Sequence, residues 1–134
     1  MQTDTKPTGM ASRARAEILT MKGYSSARSL VGDAAGMVFL DANECAHEPF
    51  VGAQNLARYS AQQPASLTRI FCDWLDVSSR NLTITRGADE AIDCLLRAFC
   101  SPGIDNVIIC PPTFAMYAQS AMLQGVALHE APLD

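Results

Sequence analysis

Leu82-Thr83-Ile84-Thr85-Arg86-Gly87-Ala88-Asp89-Glu90 passes from a β-branched run, through a single glycine, into acids that open a helical pattern. Thr83, Ile84 and Thr85 suit a pleated, half-buried surface, which predicts a short strand over 82–85. Beyond Gly87, the residues Ile92, Leu95, Leu96 and Phe99 recur at three- and four-residue spacing. That spacing predicts a helix over 88–100, stopped by Ser101-Pro102-Gly103. Asn106-Val107-Ile108-Ile109-Cys110 is the continuous apolar run expected of a strand in a parallel sheet covered on both faces, and Pro111-Pro112 ends it. A second helix is predicted over 114–124, with Gly125 as its stop, followed by a strand over 126–131. Strand, helix, strand, helix, strand is the order of an α/β fold with a mostly parallel sheet. Three strands make half of a doubly wound domain, so the expectation is a fragment with an open sheet edge and uncovered apolar faces.

Upstream the signals are sparser. Residues 1 to about 10 read as a polar tail, 11–21 as a helix with Ile18 and Met21 on one face, and 23–28 as a loop. Met37-Val38-Phe39-Leu40 predicts a short strand running into Asp41-Ala42-Asn43-Glu44, and 45–63 reads as irregular. From Pro64 a helix is well signalled by Leu67, Ile70, Phe71, Trp74 and Leu75, with Trp74 expected in the core.

Composition narrows the function classes. The 134 residues are 49% hydrophobic and 18% charged, as in an ordinary soluble domain. The net charge is −4 and the ten basic residues are scattered, which disfavours a nucleic-acid partner. No run approaches the ~18 apolar residues that a bilayer span needs, and the polar start has no apolar leader segment, so a cytoplasmic protein is expected. The cysteines at 45, 72, 94, 100 and 110 are odd in number, with no C-x-x-C pair, and read as buried small hydrophobes. His47 and His129 have no ligand-like neighbours, so no metal is expected.

Ligands of an open parallel sheet bind beyond the carboxyl ends of its strands. One loop there is Thr85–Glu90, where free backbone N–H groups and the positive end of the helix dipole favour a phosphate. The pattern alone also fits a plain tight turn followed by first-turn acids. It lacks the Gly-Lys-Ser/Thr of a nucleotide loop and the G-x-G-x-x-G of a dinucleotide site. The other loop, Cys110-Pro111-Pro112-Thr113-Phe114-Ala115-Met116-Tyr117, delivers Phe114, which suits either core packing or stacking on a flat ring. Together the two loops describe a pocket for a flat phosphorylated ring.

Six ordered pieces carry a family resemblance: Tyr24-Ser25-Ser26-Ala27-Arg28, Leu40-Asp41-Ala42-Asn43-Glu44, Arg58-Tyr59, Arg86-Gly87-Ala88-Asp89-Glu90, Arg97-Ala98-Phe99-Cys100-Ser101-Pro102-Gly103 and Cys110–Tyr117. Over about Tyr24 to Pro132 the chain resembles the N-terminal part of the histidinol-phosphate aminotransferases, pyridoxal-phosphate enzymes of the type I aminotransferase fold. The resemblance implies an α/β fold, a mostly parallel sheet flanked by helices and incomplete in this chain. Residues 1–45 would form the N-terminal arm and small-domain segment, and 46–134 the beginning of the large cofactor-binding domain. It implies pyridoxal 5'-phosphate as cofactor, with its phosphate on the backbone of Ala88 and Asp89 and its pyridine ring against Phe114. Tyr59 would reach the cofactor phosphate of the partner subunit in a homodimer, and Tyr24 and Asn43 would lie on the substrate side. Asn43 also reads simply as a turn residue after a strand. The chain departs from the family pattern at Ser60 and at Cys45-Ala46, where relatives usually carry proline.

The implied activity is amino-group transfer between histidinol phosphate and 2-oxoglutarate in histidine biosynthesis. Such an enzyme needs a lysine to hold the cofactor as a Schiff base and an acid for the pyridine nitrogen. Lys6 and Lys22, the two lysines present, both precede every motif, so no catalytic residue is assigned and the fragment is expected to be inactive alone. Two other functions fit the same residues: a related pyridoxal-phosphate aminotransferase or phosphothreonine-type decarboxylase, and a short product that binds phosphate or a subunit without catalysis.

Overall fold

A computed structural model of the chain describes residues 8–25, 36–40, 42–52, 56–61 and 63–133. The expected tail over 1–7, together with Ser26–Arg28 and Asp41 of the quoted motifs, lies outside the described residues. The chain divides into two compact units, one of Met1–Lys22 with Thr85–Asp134 and the other of Gly23–Ile84.

The first unit holds the α/β pattern. A 3₁₀ turn, Gly9–Arg13, precedes helix α1, Ala16–Thr20, where one continuous helix is predicted. Arg15 separates them, and its backbone N–H donates to the Ala98 carbonyl at 2.8 Å while its Nη1 donates to the Arg97 carbonyl at 3.1 Å. Those carbonyls end a longer helix, so a cation sits where the helix dipole favours one. That longer helix is α3, Ala88–Phe99, numbered after helix α2 of the other unit, Ala65–Leu75. Strand β1, Asn106–Ile109, follows, then helix α4, Met116–Gln124, and strand β2, Ala127–Glu130. The strands pair in parallel, Asn106 opposite Ala127 through Ile109 opposite Glu130.

Ile92 and Leu96 on one stripe of α3 bury against Ala121 of α4 and Val126, with Cys100, Val107, Met116 and Leu128 packed around them. This is the three- and four-residue spacing of the sequence converted into a core. Gly125 ends α4 at φ 69°, and its N–H reaches the carbonyls of Ala121 and Met122, so the predicted stop acts as a left-handed cap. Gly103, also at positive φ, donates to the Gly125 carbonyl at 2.9 Å, which ties the two turns at the amino ends of the strands.

Several expectations are corrected. The predicted strand over 82–85 carries no ladder, because a strand exists only through a neighbour that accepts and donates along its length. Ile84 instead bonds both ways to the carboxamide of Gln63, its N–H to Oε1 at 2.7 Å and its carbonyl from Nε2 at 3.0 Å. Met37–Leu40 likewise has no ladder, and Val38 and Leu40 are exposed. Helix α2 forms as predicted with Pro64 as its cap residue, but Trp74 is 74% exposed and Ile70 59%, since none of the described residues covers that stripe. The sheet is not covered on both faces: Ile109 is buried while Ile108 is 66% exposed. The five cysteines are free, but Cys45, Cys94 and Cys110 are exposed and Cys72 and Cys100 only partly buried. Burial, with Asp105 nearby, pushes the Cys100 thiol up from its ordinary range. Among the described residues no helix is long and apolar enough to cross a membrane.

Candidate functional site

In the first unit the site begins at Gly87, with φ 91° and ψ −179°. That conformation is essentially reserved for glycine, and a Cβ there would meet nothing within 4 Å, so the constraint comes from the backbone rather than from crowding. Gly87 caps α3 without a side chain, so the first-turn N–H groups of Ala88 and Asp89 have neither an intrahelical acceptor nor a side-chain cap.

Side chains fix the loop from behind. Thr85 Oγ1 donates to the Gly87 carbonyl at 2.9 Å. Glu90 turns back toward Arg86, four residues earlier, its Oε2 accepting the Arg86 N–H at 2.6 Å and its Oε1 accepting Arg86 Nη2 at 2.8 Å and Nε at 3.2 Å. Hydrogen bonds from the Arg86 side chain and then its backbone hold the Glu90 carboxyl below the usual carboxylate range. The same pairing raises Arg86. Glu90 therefore spends its charge on Arg86 and leaves the Ala88 and Asp89 amides unclaimed. Free amides, a positive helix end and open space at Gly87 fit a phosphate group.

Helix α3 leads through the turn at Ser101–Asp105 into the amino end of β1. The loop after β1 carries Phe114. Phe114 is 51% exposed and meets Tyr117 edge to face, ring centroids 6.0 Å apart. It is not absorbed into the core. Hydrogen bonds from Ala131 N–H to the Ile109 carbonyl and from Leu133 N–H to the Pro111 carbonyl carry the ladder past β2 and brace this loop.

The remaining predicted site residues belong to the second unit. Asn43 sits at φ 50°, a left-handed conformation that asparagine tolerates better than most residues. Tyr59 is 74% exposed and Tyr24 80%. The structure joins the motifs of Asn43 and Tyr59, because Glu44 Oε1 accepts the Tyr59 N–H at 2.7 Å. Arg58 approaches Glu44 Oε2 at 3.8 Å and donates through Nη1 to the Cys45 carbonyl at 3.0 Å. Glu48 acts in parallel, its Oε2 accepting the N–H groups of Leu56 at 3.0 Å and Ala57 at 3.1 Å. Sequence reasoning missed Glu44, Glu48 and Gln63 as organisers; the one available signal was the position of Glu44 inside a quoted motif. A depression of about 560 Å³ in this unit is lined by Gln63, Ala65, Thr68, Arg69, Cys72 and Ser79, and none of the predicted site residues borders it.

The family model for aminotransferase class I and II matches residues 31–134. The chain is 47% identical over 120 residues to the histidinol-phosphate aminotransferase of Stenotrophomonas maltophilia, covering 89% of this chain and 32% of that protein. It is 43% identical over 116 residues to the enzyme of the same name from Sodalis glossinidius, covering 85% and 32%. With the one from Aeromonas salmonicida it is 40% identical over 126 residues, covering 92% and 35%. The chain thus spans about a third of the length of these curated relatives. Aminotransferases of class I and II generally use pyridoxal phosphate. With most of its length matched by the family model, the chain belongs to the aminotransferase class I and II family.

Proposed function

We propose that the chain is the N-terminal portion of a histidinol-phosphate aminotransferase, a cytoplasmic enzyme that moves an amino group between histidinol phosphate and 2-oxoglutarate. The observation that supports this reading is the pair of unclaimed amides at Ala88 and Asp89 behind Gly87, together with a Phe114 ring left half-exposed. The names of the relatives supply the substrate. Ala88 and Asp89 hold the cofactor phosphate through their N–H groups, and Phe114 lies against the pyridine ring. Tyr59 reaches the cofactor phosphate of the partner subunit in a homodimer, and Tyr24 and Asn43 bind and orient the substrate. In the complete fold, 1–45 belong to the arm and small domain and 46–134 begin the large domain. Pyridoxal phosphate, when bound, supplies the electron sink for amino-group transfer. The lysine that carries it and the acid for its ring nitrogen belong to the two thirds of the relatives' length that this chain does not span.

Two measurements test the reading. A protein of the relatives' full length that contains this sequence is expected to form glutamate from histidinol phosphate and 2-oxoglutarate, whereas the 134 residues alone are expected to form none. Activity of the isolated chain, or a full-length protein that ignores histidinol phosphate and accepts another amino donor, overturns it.

A further inference from the structure

Residues 43–59 contain no helix or strand among those described, yet three of their N–H groups are accepted by carboxylates. Glu44 is the more telling of the two acceptors. Its side chain is only 10% exposed, so the carboxylate gives up most of its water, a cost that proteins meet with charge-assisted hydrogen bonds. The compensating partners include the Tyr59 N–H at 2.7 Å and the Arg58 guanidinium at 3.8 Å. Arg58 closes the loop by bonding the Cys45 carbonyl, so the segment following Asn43 and the segment carrying Tyr59 are held against each other across fifteen residues of sequence. Asn43 immediately precedes Glu44 and is itself held in a left-handed conformation. A mostly covered carboxylate at this point links the two segments: a shift of the backbone at Tyr59, or at Asn43 beside Glu44, disturbs the contacts of Glu44.

We propose that Glu44 is a positioning residue that sets Asn43 and Tyr59 as one unit, so that substrate affinity and cofactor-phosphate affinity depend on the same carboxylate. The inference rests on the proposed roles of Asn43 toward substrate and Tyr59 toward the phosphate of the partner's cofactor. In that homodimer the substrate site of one subunit and the cofactor site of the other answer to a single side chain. Glu44 touches neither ligand; it acts through the backbone.

The test uses the full-length protein. Pyridoxal phosphate affinity is measured on the apoenzyme by fluorescence, and histidinol phosphate affinity on the loaded enzyme by absorbance. Asn43→Gly, which removes the side chain and tolerates the left-handed backbone, is expected to weaken the substrate alone and Tyr59→Phe the cofactor alone. Glu44→Ala is expected to weaken both, each by about ten-fold or more, the scale of losing one hydrogen bond to a charged group. Glu44→Gln keeps an oxygen acceptor for the Tyr59 N–H and is expected to recover part of both losses together. Where Glu44→Ala does not fold, Glu44→Gln decides the matter, with smaller losses of the same sign in both affinities. Two affinities unchanged in the Glu44 variant, or one changed without the other, overturn the proposal. If instead Asn43→Gly and Tyr59→Phe each leave their own ligand untouched, the assignment of those two residues fails, a result separable from the first.

Discussion

The two units solve the same problem, presenting residues at a fixed geometry, by different means. In the unit containing Thr85–Asp134, a packed cluster of Ile92, Leu96, Ala121 and Val126 sets helices on a parallel pair of strands, and the site follows from where a helix begins. In the unit of Gly23–Ile84, the only buried hydrophobic residue among those described is Ala57, and side-chain oxygens of Glu44, Glu48 and Gln63 take the backbone N–H groups that a sheet would otherwise take. Regular structure satisfies its backbone with local repeats; the second unit, outside helix α2, does so in part with single side chains drawn from a distance. Damage should therefore spread in the first unit and stay local in the second.

The largest expected effect breaks the packed unit. Leu96 is 8% exposed in the middle of its core, and Leu96→Ala should cost about 2–5 kcal/mol, the range for large-to-small changes in a core that only partly collapses. Urea unfolding followed by far-UV circular dichroism reads it directly. A loss under about 1 kcal/mol would show that the cluster is not what holds this unit together.

Next is the glycine at the head of α3. A Cβ at Gly87 meets no atom within 4 Å, so Gly87→Ala tests backbone conformation alone, at φ 91°. The expected cost is about 1–3 kcal/mol, by the same unfolding measurement. A neutral result would mean that the loop relaxes to negative φ, in which case the Ala88 and Asp89 amides change direction and a nuclear magnetic resonance spectrum shows their signals moved.

What was legible in the sequence follows the same division. Helices α2, α3 and α4, the stop of α4 at Gly125, and strands β1 and β2 are written in local spacing, and they form. Burial and strand pairing are not local properties. Leu82–Thr85 has strand composition and no ladder, since pairing needs a second strand that its own residues do not specify; Gln63 supplies a two-point substitute. The helix start behind Gly87 was readable because a glycine followed by acids and a periodic face is a one-turn signal. That Glu90 faces back to Arg86 instead of capping the helix was not, because either partner suits a first-turn acid. The Glu44 to Tyr59 bond spans fifteen residues without any periodicity, so no pattern announces it.

A smaller effect sharpens the picture of the cradle without unfolding anything. Arg86 holds the Glu90 carboxyl below its ordinary range, so whatever the pair contributes is complete above the unfolded-state carboxylate pKa of about 4.3 and is lost as pH falls through the lower folded value. Between pH 6 and 8 the Arg86 amide signal should stay fixed, then move on acidification below the usual carboxylate range. Glu90→Gln should abolish that step. A midpoint at or above the ordinary carboxylate value contradicts the pairing.

The smallest expected effect comes from the largest side chain. Trp74 lies on the apolar stripe of α2 that sequence spacing assigns to a core, yet it is 74% exposed, and it meets the Phe71 ring at 5.9 Å, tilted by 57°. Area already in contact with water contributes no burial, so Trp74→Ala in the 134-residue chain should change stability by no more than about 0.5 kcal/mol. Its indole emission should be quenched freely by acrylamide. A cost above about 2 kcal/mol would place Trp74 in a covered position and erase the contrast between a unit built on packing and one built on single hydrogen bonds. The same substitution in a protein of the relatives' full length then separates the two sources of the stripe: a large cost there, with a negligible one here, means that α2 carries an apolar face written for sequence this chain does not contain.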